Sequence, residues 1–264
     1  MTGEVIDQSS RWRMLLDALS IHKRLSVTEA AELLGVSTAT VRRDFKELAR
    51  QQLATRTHGG VVATTVAYDL PARYRIAPGD PRERIARAAA ELVRPEEVVG
   101  FNGGTTTTAI ARHLGQRADL RSSGRETITV VTNALNIASE LVLRPDIRTV
   151  CIGGVARPES YELHGPFASR VLQDLLLHHL LLGVDAISAE EGASCEHLGE
   201  SSISAEMVSR AQRVTVVADS QRIGGVALAR ICTIDQVDGL VTDDAADPEQ
   251  VRRLRDAGVD VTLV

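Results

Sequence analysis

A glycine- and threonine-rich loop is the segment of this sequence best suited to bind an anion. It consists of Asn102, Gly103, Gly104, Thr105, Thr106 and Thr107. An apolar run, Val98–Phe101, precedes it, and a segment with helical periodicity, Thr105–Leu114, follows. Glycine lets the backbone approach a ligand closely, and free amide groups at the start of a helix favour negative charge. The loop matches neither the P-loop nor the dinucleotide fingerprint, so by itself it is also compatible with a simple capped turn.

Other apolar runs end in polar or glycine residues in the same way. These ends carry Thr132, Asn133, Gly153, Gly154, Asp185, Ser220 and Arg222. The carboxyl ends of parallel strands meet at one edge of a sheet, where ligands bind in folds of this kind. We therefore expect these residues and the glycine-threonine loop to converge on one pocket.

A second set of candidate residues lies on a basic helix near the N-terminus. Ser26 and Glu29 form a capping box that begins one helix, Gly35 ends it, and Ser37 begins the next. The second helix has an apolar inner face made of Val41, Phe45 and Leu48. Two short helices joined by a glycine-containing turn are typical of a helix-turn-helix, whose second helix enters the major groove.

The outer face of this second helix carries small and basic side chains suited to DNA. With its cap, it offers Ser37, Thr38, Thr40, Arg42, Arg43 and Lys46. Arginine can bind guanine with two hydrogen bonds, and lysine suits phosphate. Residues 53–57 and 61–63 can pair as a wing, which places Arg56 and His58 near the DNA backbone or minor groove. A basic face can be only a solvated surface, but the order of caps, turn and wing favours DNA binding.

The charge distribution permits this interpretation. The formal net charge is −5. The first sixty residues contain nine basic and seven acidic side chains, while the rest contains 21 and 28. Since the local field decides whether a surface meets a phosphate backbone, the net acidity does not exclude DNA binding.

Beyond residue 80, apolar runs alternate with amphipathic segments. The strand candidates are Val98–Phe101, Ile128–Thr132, Thr149–Gly153, Leu180–Ile187, Val214–Ala218, Gly239–Thr242 and Val259–Val264. Helix candidates lie between them, which predicts an α/β domain with a mostly parallel sheet covered on both faces. The predicted organisation is a winged helix-turn-helix at 1–62, a linker rich in proline and small residues at 63–80, and an α/β effector-binding domain at 81–264.

Several classes of protein are not expected. The sequence has no apolar run long enough to span a membrane and no signal peptide pattern, so we expect a cytoplasmic protein. Its three cysteines are far apart and are expected to be reduced thiols. Cys195 with His197, and the pair His178 and His179, lack the spacing of a metal site. No cofactor or catalytic residue is predicted.

The motifs resemble those of the DeoR family of sugar-metabolism repressors. The N-terminal match consists of Val36-Ser37, Thr40-Val41-Arg42-Arg43-Asp44 and Arg56-Thr57-His58-Gly59-Gly60, and the C-terminal match follows the strand ends named above. The resemblance implies a sensor domain similar to ribose-phosphate and glucosamine-phosphate isomerases, with a phosphorylated sugar as effector. It adds Glu200 to the effector site and implies that Asp44 orients Arg43 or closes the helix pair. Repressors that read paired half-sites are homo-oligomers, so we expect a dimer or tetramer.

Three departures from the family pattern bear on the effector. Asn102 stands where an aspartate is common, Ser204 and Ala205 stand where the family has a lysine-arginine pair, and Arg222 replaces a lysine. The alternatives to a ligand-controlled repressor are a sugar-phosphate isomerase or deaminase with a DNA-binding head, and a DNA-binding scaffold without a ligand. The isomerase needs a base and a proton relay, which Asn102 and the absent lysine weaken.

Overall fold

The computed structural model describes residues 7–22, 24–50, 54–57, 59–63, 74, 76–77, 79–120 and 126–264. The chain divides into two compact units between residues 73 and 74. Most of the linker predicted at 63–80 lies outside the described residues. Tyr74, which the sequence assigns to that linker, is buried in the second unit.

The N-terminal unit contains three helices and a small antiparallel sheet within its described residues. The helices are α1 (Gln8–His22), α2 (Val27–Leu34) and α3 (Thr38–Arg50). The strands are β1 (Arg24–Ser26), β2 (Ala54–Thr57) and β3 (Gly60–Ala63), in the order β1-β3-β2. This arrangement confirms the winged helix-turn-helix. The short segment between α1 and α2 is a strand, because Leu25 is buried in the core as β1 pairs with β3.

The predicted helix caps are confirmed. The Ser26 hydroxyl accepts from the Glu29 backbone N–H, and the Glu29 carboxylate accepts from the Ser26 N–H, as in a capping box. Gly35 ends α2 in the left-handed conformation with φ 63°. The Ser37 hydroxyl accepts from the Thr40 N–H at 3.2 Å and so caps α3.

A buried ion pair holds α1 against α3. Asp44 is 3% exposed, and its carboxylate receives Arg11 Nε at 2.9 Å, Arg11 Nη2 at 3.1 Å and Trp12 Nε1 at 3.0 Å. Asp44 thus holds α1 against α3, which is neither of the two roles that the resemblance implied: its side-chain partners among the described residues lie on α1, not on α2 or Arg43.

The C-terminal unit is built on a seven-stranded sheet in which every neighbouring pair is parallel. In chain order its strands are β4 (Val98–Phe101), β5 (Ile128–Thr132), β6 (Ile147–Cys151), β9 (His179–Gly183), β12 (Val214–Val217), β14 (Gly239–Thr242) and β15 (Asp260–Leu263). Their spatial order is β15-β14-β12-β9-β4-β5-β6. The helices are α4 (Pro81–Glu91), α5 (Thr105–Leu114), α6 (Leu135–Leu141), α7 (Pro166–Leu172), α8 (Leu198–Ser209) and α9 (Pro248–Asp256).

Alternation of side chains along β9 shows why this sheet is covered on both faces. Leu180 and Leu182 pack in one apolar cluster, whereas Leu181 between them packs in the other. Successive side chains of a strand point to opposite faces, so both faces must be shielded from water. The predicted α/β fold class is confirmed.

Two features of this unit differ from the sequence prediction. The single strand predicted at Leu180–Ile187 is two: β9 ends at Gly183, and β10 (Ala186–Ser188) joins an antiparallel sheet with β11 (Gly192–Cys195) and β13 (Ala229–Cys232). The apolar run hid this break because periodicity alone cannot locate a strand end. The hairpin of β7 (Val155–Ala156) and β8 (Leu163–His164) was not predicted, since its strands are only two residues long. No described helix is long and apolar enough to cross a membrane.

Candidate functional site

The exposed face of α3 is basic. Thr38, Arg42, Arg43 and Lys46 are exposed, whereas Val41, Asp44, Phe45 and Leu48 are buried. Among the described residues, Arg42, Arg43 and Lys46 form no ion pair, so their charges are available to an outside anion. The Ser37 and Thr40 hydroxyls lie 2.9 Å apart and form a hydrogen bond with each other. In this structure they stabilise the start of α3, whereas the sequence predicts both as DNA contacts.

The wing contributes one described candidate. Arg56 is exposed on β2, opposite Val61 of β3. His58, the other predicted wing residue, lies outside the described residues.

The glycine-threonine loop leads from β4 directly into α5, as predicted. Gly104 precedes α5 with φ 135°, and no side chain caps this helix. The Thr107 and Thr108 hydroxyls are buried and donate to the Gly104 carbonyl at 3.1 and 2.6 Å. Thr107 therefore holds the loop, while Thr105 and Thr106 are partly exposed in the first turn. The uncapped amide groups of this turn are suited to an anion.

Asn102 is engaged by the neighbouring strand. Its Oδ1 accepts from the Gly183 N–H at 2.8 Å, and its Nδ2 donates to the Gly183 carbonyl at 2.8 Å. An aspartate could accept from the N–H but could not donate to the carbonyl. Asn102 thus ties the end of β4 to the end of β9, a structural role that its prediction as an effector ligand did not include.

Two of the departures from the family pattern meet at this point. Asn102 Nδ2 lies 3.4 Å from the Ser204 hydroxyl, and both residues are buried. Asparagine and serine are both uncharged, so this buried contact carries no charge.

Glu162 is a buried residue of the site that the sequence analysis did not predict. It is 5% exposed, lies on the hairpin segment just before β8, and its Oε2 accepts from Asn133 Nδ2 at 2.9 Å. A Cβ added to Gly103 would lie 2.3 Å from Glu162 Cγ, so only glycine lets the loop meet this side chain. Burial raises the pKa of the Glu162 carboxyl to about 7, and the neighbouring Glu200 carboxylate contributes to this. A single glutamate in a polar stretch carries no sequence signal; only the hairpin brings it to the loop.

Asn133 and Thr132 lie at the adjacent strand end. The Thr132 hydroxyl accepts from the Ala134 N–H at 3.0 Å and is fully buried. Asn133 also donates to the Leu163 carbonyl at 3.2 Å, and its Oδ1 has no hydrogen-bond partner among the described residues. Asn133 is thus an unsatisfied acceptor beside Glu162.

The hairpin also reaches the start of α8. The Glu200 carboxylate receives Arg157 Nη1 at 2.8 Å and the Ser160 hydroxyl at 2.6 Å. Arg157 is shared with Glu159, at 3.2 Å. Neither Arg157 nor Ser160 was predicted, although Glu200 was.

Other predicted residues fall nearby with different roles. Asp185 and Arg222 form an ion pair at 3.0 Å, so the structure brings these two together. Gly154, with φ 121°, lies so close to β8 that an added Cβ would be 2.8 Å from the His164 carbonyl oxygen. Gly153 also has a positive φ. At another strand end, the Ser220 N–H donates to the Asp243 carboxylate at 2.7 Å. The glycines thus shape the hairpin, and the Ser220 backbone is already bonded.

Metal ligands are not clustered in the part of the chain that the structure describes. His178 Nδ1 accepts from the Val98 N–H, and His179 Nε2 is within 2.8 Å of the Thr215 hydroxyl. Burial raises the pKa of the Cys195 thiol to about 11, which disfavours the thiolate that a metal would need.

Comparison with known proteins agrees with this architecture. Residues 11–66 match the model of a DeoR-like helix-turn-helix domain, and residues 79–244 match that of the DeoR C terminal sensor domain. A protein of Escherichia coli O157:H7, named as a candidate aga operon transcriptional repressor, is 31% identical over 98% of this chain and 95% of its own length. The glycerol-3-phosphate regulon repressor of E. coli K12 is 27% identical over 97% and 99%.

The similarity of this chain to solved structures is weaker than its similarity to these repressors. Ribose 5 phosphate isomerase A from Neisseria gonorrhoeae aligns with a TM-score of 0.38 and 19% identity, covering 57% of this chain and 54% of that one. At that level the likeness says nothing about activity. The two domain matches together span most of the chain, and they show that it belongs to the DeoR family of transcriptional regulators.

Proposed function

We propose that this protein represses a carbohydrate-metabolism operon. A small phosphorylated sugar that binds at the start of α5 controls its affinity for DNA. The observation that carries the proposal is the exposed face of α3, where basic side chains without ion-pair partners among the described residues stand on a helix whose other face is buried. A related repressor is named for a glycerol-3-phosphate regulon, which supports a phosphorylated effector.

The site at the sheet edge supports an anion as one part of the ligand. The uncapped first turn of α5 offers backbone N–H groups, and the partly exposed Thr105 and Thr106 offer hydroxyls. Ligand control then requires that the effector bind one arrangement of the protein better than the other. The binding experiment below measures whether the effector raises or lowers the affinity for DNA.

DNA-binding measurements on the whole chain test this proposal. Fluorescence anisotropy would measure its binding to duplex DNA from upstream of its own gene and to a scrambled duplex, at fixed salt, with and without a panel of sugar phosphates. We expect tighter binding to the upstream duplex and a change in that affinity with at least one sugar phosphate. Equal binding to both duplexes, or no response to any phosphate, would contradict the proposal. Mass measurement of the complex tests the expected homo-oligomer.

Replacing Thr106 by valine should weaken effector binding at least about tenfold while leaving the affinity of the ligand-free protein for DNA unchanged. The reason is that a hydrogen bond to a charged group contributes roughly 1.5–3 kcal/mol. Isothermal titration calorimetry and anisotropy measure the two effects separately. Thr262→Val, at an exposed position on β15, is the matched control. Loss of both activities together would indicate misfolding and no specific role for Thr106.

A route from the site toward the linker passes through Tyr74. The Tyr74 hydroxyl donates to the Ser160 carbonyl at 2.6 Å, and the Ser160 hydroxyl donates to Glu200. Tyr74 is the first described residue after Ala63, and its carbonyl accepts from Arg112 at 3.0 Å. The hairpin that carries Glu162 is therefore bonded both to the effector site and to the end of the linker.

Tyr74→Phe should leave effector affinity within about threefold but reduce the effector's influence on DNA affinity roughly fivefold, since one net hydrogen bond contributes about 0.5–1.5 kcal/mol. The measurement is the ratio of DNA dissociation constants with and without effector. Tyr161→Phe, whose hydroxyl has no described partner, is the control. An unchanged ratio in Tyr74→Phe would show that coupling takes another route.

A further inference from the structure

Next to the glycine-threonine loop, the candidate site contains hydrogen-bond acceptors and acidic side chains. Asn133 is completely buried, its amide nitrogen is occupied by Glu162 and Leu163, and its Oδ1 has no partner among the described residues. A buried acceptor without a donor is unfavourable unless something else supplies the donor. This atom belongs to the same amide that contacts Glu162, so it marks where a donor would complete the site.

The charges around Glu162 point to the kind of donor. The two nearby carboxylates are each compensated, Glu200 by Arg157 and Asp185 by Arg222. Glu162, although the most buried of the three, forms no ion pair with any described residue. Ser204, the α8 residue that contacts Asn102, supplies no charge either. One buried carboxylate therefore has no cationic partner among the residues that the structure describes.

We propose that the effector carries an ammonium group as well as its phosphate, and that the ammonium binds between the Glu162 carboxylate and Asn133 Oδ1. The ligand class is an amino-sugar phosphate, and this inference rests on the proposed function of the α5 loop as the phosphate site. An ammonium provides three donors and the missing positive charge. A hydroxyl could bond to Asn133 but would not favour the ionised form of the buried Glu162 carboxyl, whereas an ammonium would, and charge-assisted hydrogen bonds are the stronger kind.

Matched ligand pairs test this proposal. Isothermal titration calorimetry on the full chain would compare glucose 6-phosphate with glucosamine 6-phosphate, and galactose 6-phosphate with galactosamine 6-phosphate, which differ in one hydroxyl or ammonium. The protein should bind one amino form about tenfold or more tightly than its hydroxyl partner. Glu162→Gln, which removes the charge and keeps the shape, should reduce this preference to less than about twofold. Glu162→Asp should retain part of it, and Glu126→Gln, at an exposed position paired with Arg148, should retain all of it.

Each outcome decides between the two proposals. Preference for an amino form that disappears in Glu162→Gln supports the inference. Binding of sugar phosphates without an amino preference, or a preference that survives in Glu162→Gln, overturns it and leaves the proposed function intact. Failure of every phosphate to bind the unmodified protein overturns the proposed function and this inference with it. Melting curves of each variant show whether its C-terminal unit is folded.

Discussion

Replacing Asp44 by alanine should unfold the N-terminal unit and abolish DNA binding while the C-terminal unit remains folded. Asp44 is 3% exposed and its carboxylate accepts hydrogen bonds from Arg11 and Trp12. Removing one partner of a buried pair typically destabilises a protein by about 3–5 kcal/mol, because the other charge is left without compensation. A domain of this size rarely has more than roughly 3–5 kcal/mol of stability.

Thermal unfolding of the variant, followed by circular dichroism and by hydrogen exchange of each unit, measures this effect. Arg50→Ala is the control: it removes an ion pair with Glu47 on the same helix, but the Arg50 side chain is 70% exposed. Exposed pairs contribute about 0–1 kcal/mol, so this control should remain folded. A folded N-terminal unit in Asp44→Ala would show that the ion pair is not what holds α1 against α3.

Arg43→Ala should weaken binding to the operator by about 1–3 kcal/mol, which corresponds to roughly five- to 150-fold, if Arg43 reads a base. The side chain is exposed on α3, and it forms no ion pair with the described residues. Nothing in the N-terminal unit's described core depends on it, so its removal should leave stability unchanged within about 0.5 kcal/mol. Anisotropy titrations at several salt concentrations measure the loss.

Lys46→Ala is the informative comparison, because lysine suits a phosphate contact. We expect it to weaken specific and nonspecific binding alike and to lower the salt slope by about 1. Arg43→Ala should instead weaken specific binding more and relax the preference at one base pair. The same affinity for Arg43→Ala and the unmodified protein, at controlled salt, would refute a base-reading role.

The Asn102 and Ser204 pair shows how a sequence departure can be misinterpreted when it is considered alone. Each change removes a charge that the family pattern leads one to expect, and each by itself suggests a different effector. In the structure they contact each other, and Asn102 uses both ends of its amide on Gly183. In this chain the two residues therefore form an uncharged contact inside the fold. The carboxyl group that we propose to bind the ligand is that of Glu162, which lies about forty residues or more from both positions in sequence.

The sequence alone determined the features that depend on local pattern. Helix caps at Ser26, Gly35 and Ser37, the inner face of α3 and the alternation of strands and helices all follow from periodicity and backbone chemistry within a few residues. The positions of the loop and of the strand ends follow in the same way, because a parallel sheet brings its carboxyl ends together.

Only the tertiary structure decided which side chains at those ends are available to a ligand. The polar side chains of Thr107, Thr132 and Asn102 form hydrogen bonds within the fold. A hairpin whose strands are only two residues long brings Glu162 against Gly103. Such pairings depend on hydrogen bonds between residues distant in sequence, and on burial that removes their water. Neither these long-range hydrogen bonds nor this burial can be predicted from local composition. The charges and pKa values of the site could therefore be learned only from the folded chain.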